Sequence, residues 1–230
     1  MKIGIIGAME EEIKTLRDNL DHPLSWEQNG ALFISGAMGN HEVIVVRSGI
    51  GKVLASITTS VLIQQYKVNM VINTGTAGGI GGGVKIGDLV VADKVAYFDV
   101  DATTFGYKIG QVPGMPLYFN SSTYLKTEML AAAEKMNQPA HVGLIVSGDT
   151  FVSSVAKINE IKHNFPDAVA NEMEGAAVGH TASQYGIPFL IVRAISDTAD
   201  EEATETHEEF VARTGAASAE LVMTFVKNLK

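Results

Sequence analysis

Carboxylates, hydroxyls and glycines recur at six points of this sequence, each just after a short run rich in isoleucine and valine. Glu10, Glu11 and Glu12 follow the first run. Ser48-Gly49-Ile50-Gly51 and Thr74-Gly75-Thr76-Ala77-Gly78-Gly79 follow two others. The remaining three points are Ser147-Gly148-Asp149-Thr150-Phe151, Glu172-Met173-Glu174 and Ser196-Asp197. Carboxyls held in place can move protons at a reacting group. Arg193 sits inside an apolar run just before the last point, and a buried arginine needs a carboxylate partner.

Other chemistries are excluded by residue type. The chain has no cysteine, so disulfides, thiolate catalysis and zinc-thiolate sites are absent. Its six histidines are scattered, and no H-E-x-x-H occurs. Gly51-Lys52 is followed by Val53, and Val46 stands where a phosphate loop needs its first glycine. No G-x-G-x-x-G occurs, and Ser147-Gly148-Asp149 lacks the serine-hydrolase elbow. The six points also have structural readings. Acids in a helix's first turn are favoured by the helix dipole. Glu174 and Asp197 could be caps, Thr76 a turn residue, and Met9 and Met173 core filler.

The elements that would position these groups follow from periodicity. Strands are expected over 2–7, 32–37, 42–47, 68–73, 88–96, 142–146, 168–171 and 189–195, the runs at 68–73 and 189–195 apolar enough to be buried on both faces. Helices are expected over 10–20, 53–66, 124–136, 155–164, 174–185 and 205–229. Such alternation predicts a single α/β domain over 1–230, its mostly parallel or mixed sheet covered by helices, with ligands bound beyond the strands' carboxyl ends. The segment 97–120 lacks clean periodicity and is long for a connection, as functional or partner-facing loops are. A net charge of −9 argues against nucleic acid as a partner. No run approaches the length of a membrane span, and the N-terminus does not read as a signal peptide, so a cytoplasmic protein is expected.

In this order and register, the six segments make the chain resemble the bacterial 5′-methylthioadenosine/S-adenosylhomocysteine nucleosidases from Met1 to about Leu229. The resemblance implies a nucleoside-phosphorylase-like fold, with a mixed sheet partly closed into a barrel. It implies hydrolysis of an N-glycosidic bond, with no metal and no cofactor. It also implies roles. Asp197 would protonate adenine at N7 with Ser196 orienting it, and Glu12 would activate water with Thr76 and Arg193 nearby. Glu174 would bind the ribose hydroxyls and Met173 pack under the ribose. Phe151 would stack on adenine while the Val152 backbone reads its edge. Met9 and Ile50 would line the sugar and its 5′ group, and Ala77, Gly78 and Glu172 complete the wall. A homodimer is implied, with Phe105, Tyr107 and Pro113 of the neighbouring subunit closing the pocket. Two positions depart from the pattern. Thr76 replaces a serine but keeps the hydroxyl. His207 replaces a phenylalanine that packs on the 5′ group, which leaves the 5′ preference open.

Three rival readings separate on chemistry. A purine nucleoside phosphorylase needs cations for its phosphate, whereas the corresponding places hold Glu10, Glu11, Glu12 and Asn73. A non-catalytic nucleoside-binding protein could lose the acid or base, yet Glu12, Glu174, Arg193 and Asp197 are all present. A hydrolase for a related 6-amino nucleoside such as aminodeoxyfutalosine would share the adenine-binding residues.

Overall fold

The computed structural model describes residues 1–198 and 207–229, with side chains described from 213 onward in the second stretch. In chain order the elements are β1 (Lys2–Gly7), α1 (Glu10–Asp18), β2 (Asp21–Gln28), β3 (Ala31–Met38), β4 (His41–Arg47), α2 (Lys52–Gln64), β5 (Met70–Gly79), β6 (Leu89–Tyr97), β7 (Phe119–Asn120), α3 (Thr123–Lys135), β8 (Ala140–Ser147), α4 (Val155–Asn164), β9 (Ala168–Glu172), α5 (Gly175–Gln184), β10 (Phe189–Thr198) and α6 (His207–Asn228). A 3-10 turn at Thr103–Phe105 lies between β6 and β7.

The strands form one mixed sheet, as the alternation predicts. Five of them close into a ring: β5 pairs with β10, β10 with β6, β6 with β8, β8 with β9, and β9 returns to β5. Four more extend from β5 as β1, β4, β3 and β2, and the two-residue β7 pairs with β6. Strands β1, β5 and β10 are buried on both faces because helices cover both sides, so Ile5, Ile6, Val71, Ile72, Ile191 and Val192 are inaccessible to water.

One detail of the pairing prepares the site. On one edge of β5, β1 covers Met70–Asn73 while β9 covers only Gly78 and Gly79. Between them that edge has no strand neighbour among the described residues, although β10 lines the opposite edge throughout.

The structure departs from the sequence reading at β2, at the short β7 (Phe119–Asn120) and at the ends of β5 and β10. β2 is unforeseen because its side chains are mostly exposed and do not alternate. It exists as an edge strand on β3, where Trp26 stacks on Phe33 at 5.8 Å and donates through Nε1 to Tyr66 Oη at 2.8 Å. Residues 74–79 and 196–198, placed by the sequence beyond the ends of their strands, are instead the continued pairing of β5 with β10. Glycines permit it: a Cβ on Gly79 would stand 2.9 Å from Val84 and 3.1 Å from Ile195.

Candidate active site

Glu12 occupies the open edge of β5. It is the third residue of α1, which Met9 precedes as cap. Its Oε2 accepts from the Ala8 and Met9 amides at 2.7 and 3.2 Å, the backbone service expected of a first-turn acid. Its Oε1 reaches across to accept from the Thr76 amide at 3.0 Å and the Thr76 hydroxyl at 3.4 Å. Gly75 allows this approach, since a Cβ there would lie 2.5 Å from Glu12 Oε1. Both readings of Glu12 therefore hold, for it caps a helix and also enters the site. Burial pushes its carboxyl up from the usual range, opposed by Arg193 and by the three backbone amides. The neighbouring acids do not share its place. Glu10 pairs with Arg17 and, at 3.6 Å, with Arg47, while Glu11 is exposed on the cavity wall.

Arg193 projects from β10 and is wholly buried. Its Nη2 donates to Glu172 Oε2, donates to Asn73 Oδ1 at 2.6 Å, and stands 3.9 Å from Glu174 Oε2. Asn73 is itself held by donating to the Ile6 carbonyl at 2.9 Å. Glu172 has both oxygens engaged. Oε1 accepts from Ser147 Oγ, and Oε2 also accepts from the Glu174 and Gly175 amides at 3.0 and 2.8 Å. Glu172 thus caps α5 from outside, and Glu174 does not act as the side-chain cap. The Glu174 Oε1 accepts instead from the Gly51 amide at 2.8 Å. Burial raises the Glu174 carboxyl from 4.5 to about 8, the Glu172 charge adding to the effect and Arg193 opposing it.

The opposite wall is built by a β-bulge. β10 slips one residue against β5 between Ile195 and Asp197, so Ser196 is the extra residue. Two consecutive side chains, Ser196 and Asp197, consequently line the same cavity. Ser196 Oγ donates to Asp197 Oδ1 at 2.6 Å, and Asp197 is half-buried. Beside it Asn171 donates to the Gly78 carbonyl at 3.2 Å.

These walls enclose a cavity of about 410 Å³. Met9, Ile50, Thr76, Ala77, Gly78, Phe151, Val152, Met173 and the carboxylates all border it, as the sequence led one to expect, while Arg193 stands behind Glu172 and Glu174. Its mouth is apolar and open, with Ile50 at 52% and Phe151 at 64% exposure. No lysine or arginine lines it among the described residues. Phe105, Tyr107 and Pro113 lie off this wall, Phe105 being 79% exposed. Their segment is nevertheless anchored, because Gly110 packs where a Cβ would stand 2.2 Å from the Tyr97 carbonyl. The His207 side chain lies outside the described residues.

Sequence reasoning missed Asn171 and the roles of Ser147, Asn73 and the Gly51 amide. Asn171 was detectable, since it directly precedes Glu172. The others act through partners that are distant in the chain.

Fold and site together define a class. A sheet closed into a five-strand ring, with a carboxylate-rich cavity at its rim, is matched by the phosphorylase superfamily model over residues 2–227. S-adenosylhomocysteine nucleosidase from Streptococcus pyogenes, solved with 5-methylthiotubericidin, is 42% identical, with 100% of this chain and 98% of that one covered and a TM-score of 0.94. The 5′-methylthioadenosine/S-adenosylhomocysteine nucleosidase from Neisseria meningitidis, solved with methylthio-immucillin-A, is 41% identical over 99% of both chains, with a TM-score of 0.95. A futalosine hydrolase mutant from Helicobacter pylori is 33% identical over 100% of both, with a TM-score of 0.94. The chain belongs to the 5′-methylthioadenosine/S-adenosylhomocysteine nucleosidase family of the phosphorylase superfamily.

Proposed function

We propose that the chain hydrolyses the N-glycosidic bond of 5′-methylthioadenosine and S-adenosylhomocysteine, releasing adenine and the 5-thio-substituted ribose. The observation that carries this reading is the polarity of the cavity. A hydroxyl-supported carboxyl, Asp197, stands on one wall, buried Glu12 and Glu174 stand on another, and no cationic side chain lines it among the described residues. Breaking the C1′–N9 bond builds positive charge on the ribose and negative charge on the base. Asp197 protonates N7, so the base leaves neutral, and Ser196 fixes the orientation of Asp197. Glu12 takes the proton of the attacking water, and the Thr76 hydroxyl beside it helps to place that water. The division of labour parallels an inverting glycosidase, with one carboxyl on the leaving group and another on water.

Glu174 receives the ribose hydroxyls. Burial holds it toward its neutral form in the free chain, and a cationic sugar alongside favours the anion. Met173 packs under the ribose, Phe151 stacks on adenine, and the Val152 backbone reads its edge. Met9 and Ile50 line the 5′ side. Phosphate as nucleophile would need an arginine free to grip it, and Arg193 already engages Glu172 and Asn73. The working unit is a homodimer in the cytoplasm. The open apolar mouth and the exposed Phe105 support the partner's 105–113 segment as its closure.

The direct test is adenine release from 5′-methylthioadenosine in phosphate-free buffer. Release without phosphate is expected. Release only after phosphate is added would make the chain a phosphorylase, and binding without cleavage would make it a binding protein.

A further inference from the structure

Outside the catalytic cluster, three charged side chains meet next to two segments that line the cavity, those of Ile50 and of Thr150–Val152. Lys52 Nζ lies 2.6 Å from Asp99 Oδ2 and 3.7 Å from Asp149 Oδ2. The Asp149 amide donates to Asp99 Oδ2 at 2.9 Å. The Lys52 amide, first of α2, donates to Asp149 Oδ1 at 2.8 Å. Gly51 has no side chain to cap α2, so Asp149 supplies the cap from another loop. Lys52 Nζ also stands 5.4 Å from the centre of the Tyr97 ring.

Lys52 and Asp149 belong to different pieces of the site, and Asp99 to the segment beyond it. Lys52 adjoins Ile50 and Gly51, whose amide holds Glu174. Asp149 begins the loop that presents Phe151 and Val152 to the cavity. Asp99 opens the segment that carries Phe105. The two amides at the start of α2 thus point at two carboxylates, one under the ribose site and one in the base loop.

From this geometry we propose that Lys52, with Asp99 and Asp149, is a positioning residue that sets the base-reading loop against the ribose site and ties it to the 99–113 segment. Lys52 touches no reacting atom. It neutralises two carboxylates that would otherwise repel each other across the joint between these loops, and so fixes where Phe151 and Phe105 sit. Lys52 and Asp99 are each 21% exposed and Asp149 is 49% exposed, so the joint is partly screened by salt.

The proposal rests on the function proposed above, and its test separates the two. Lys52→Met and Lys52→Arg are compared with wild type in two measurements: binding of free adenine by calorimetry, and steady-state cleavage of 5′-methylthioadenosine. Lys52→Met is expected to weaken adenine binding and raise KM about five-fold, the scale of one half-exposed ion pair, with kcat within about two-fold. Lys52→Arg is expected to restore most of both. Rising salt should raise the wild-type KM and leave that of Lys52→Met nearly unchanged. Unchanged adenine affinity and KM, or a fall in kcat alone, would overturn the positioning role. A lower melting temperature with wild-type KM would reduce the cluster to a fold contact. Adenine binding without cleavage by the wild type would fail the enzymatic reading while leaving this one testable.

Discussion

The wall built from Glu12, Glu172, Glu174 and Arg193 and the wall built from Ser196 and Asp197 differ in how deeply each belongs to the fold. On the first wall every carboxylate is at least nine-tenths buried and holds backbone amides: those of Ala8, Met9 and Thr76, of Glu174 and Gly175, or of Gly51. These groups close helix ends and fill the open edge of β5. On the second wall Asp197 is half-buried and its hydrogen bond runs to its neighbour Ser196. The same chemical group therefore does two jobs. On the first wall the carboxyls are part of the framework, tied to backbone amides and to Arg193. On the second wall the carboxyl is left facing the cavity, as the proton donor proposed above would need to be.

This contrast breaks first at Arg193. Replacing it with methionine leaves three buried carboxylates facing one another without their cation. Removing one partner of such a buried arrangement costs about 3–5 kcal/mol, read as a lower midpoint in urea. A midpoint equal to wild type would mean the first wall is not a structural cluster. Glu12→Gln comes next. An amide keeps one acceptor but turns an NH₂ toward donors, so about 1–3 kcal/mol of stability goes together with adenine release. Loss of release at full stability would place Glu12 with Asp197 rather than with the framework.

The first wall also carries a pH dependence. The Glu174 carboxyl is raised from 4.5 to about 8. Below pH 4.5 it is protonated in both folded and unfolded chains, and its contribution to stability is complete. As pH rises toward about 8 the unfolded chain ionises freely while the folded chain resists, so stability falls across that window. Melting curves over the same range should show this decline in wild type and a shallower one in Glu174→Gln. Equal slopes would mean that Glu174 ionises in the fold as easily as in water.

Much of the site could be read in the sequence because it is organised by strand ends. Six short segments of hydroxyl, glycine and carboxylate fall at one rim, and thirteen of their residues line the cavity. Features set by register were not legible. The bulge that turns both Ser196 and Asp197 to the cavity depends on how β10 pairs with β5. The gap that admits Glu12 depends on where β1 stops and β9 begins. β2 carries no apolar alternation because one pairing and one tryptophan hold it. Lys52, Asp99 and Asp149 are 47 and 50 residues apart along the chain, and nothing local marks their meeting. Segment 97–120 stood out by its length and its lack of periodicity, and Phe105 within it is exposed.

The division between the two walls is tested most directly by Asp197→Asn, assayed for adenine release from 5′-methylthioadenosine alongside its unfolding free energy. Release is predicted to fall roughly 10²–10⁴-fold, the worth of a positioned proton donor, with stability within about 0.5 kcal/mol of wild type. Wild-type release would remove Asp197 as the acid, and a large loss of stability would place it in the framework with Glu12 and Arg193.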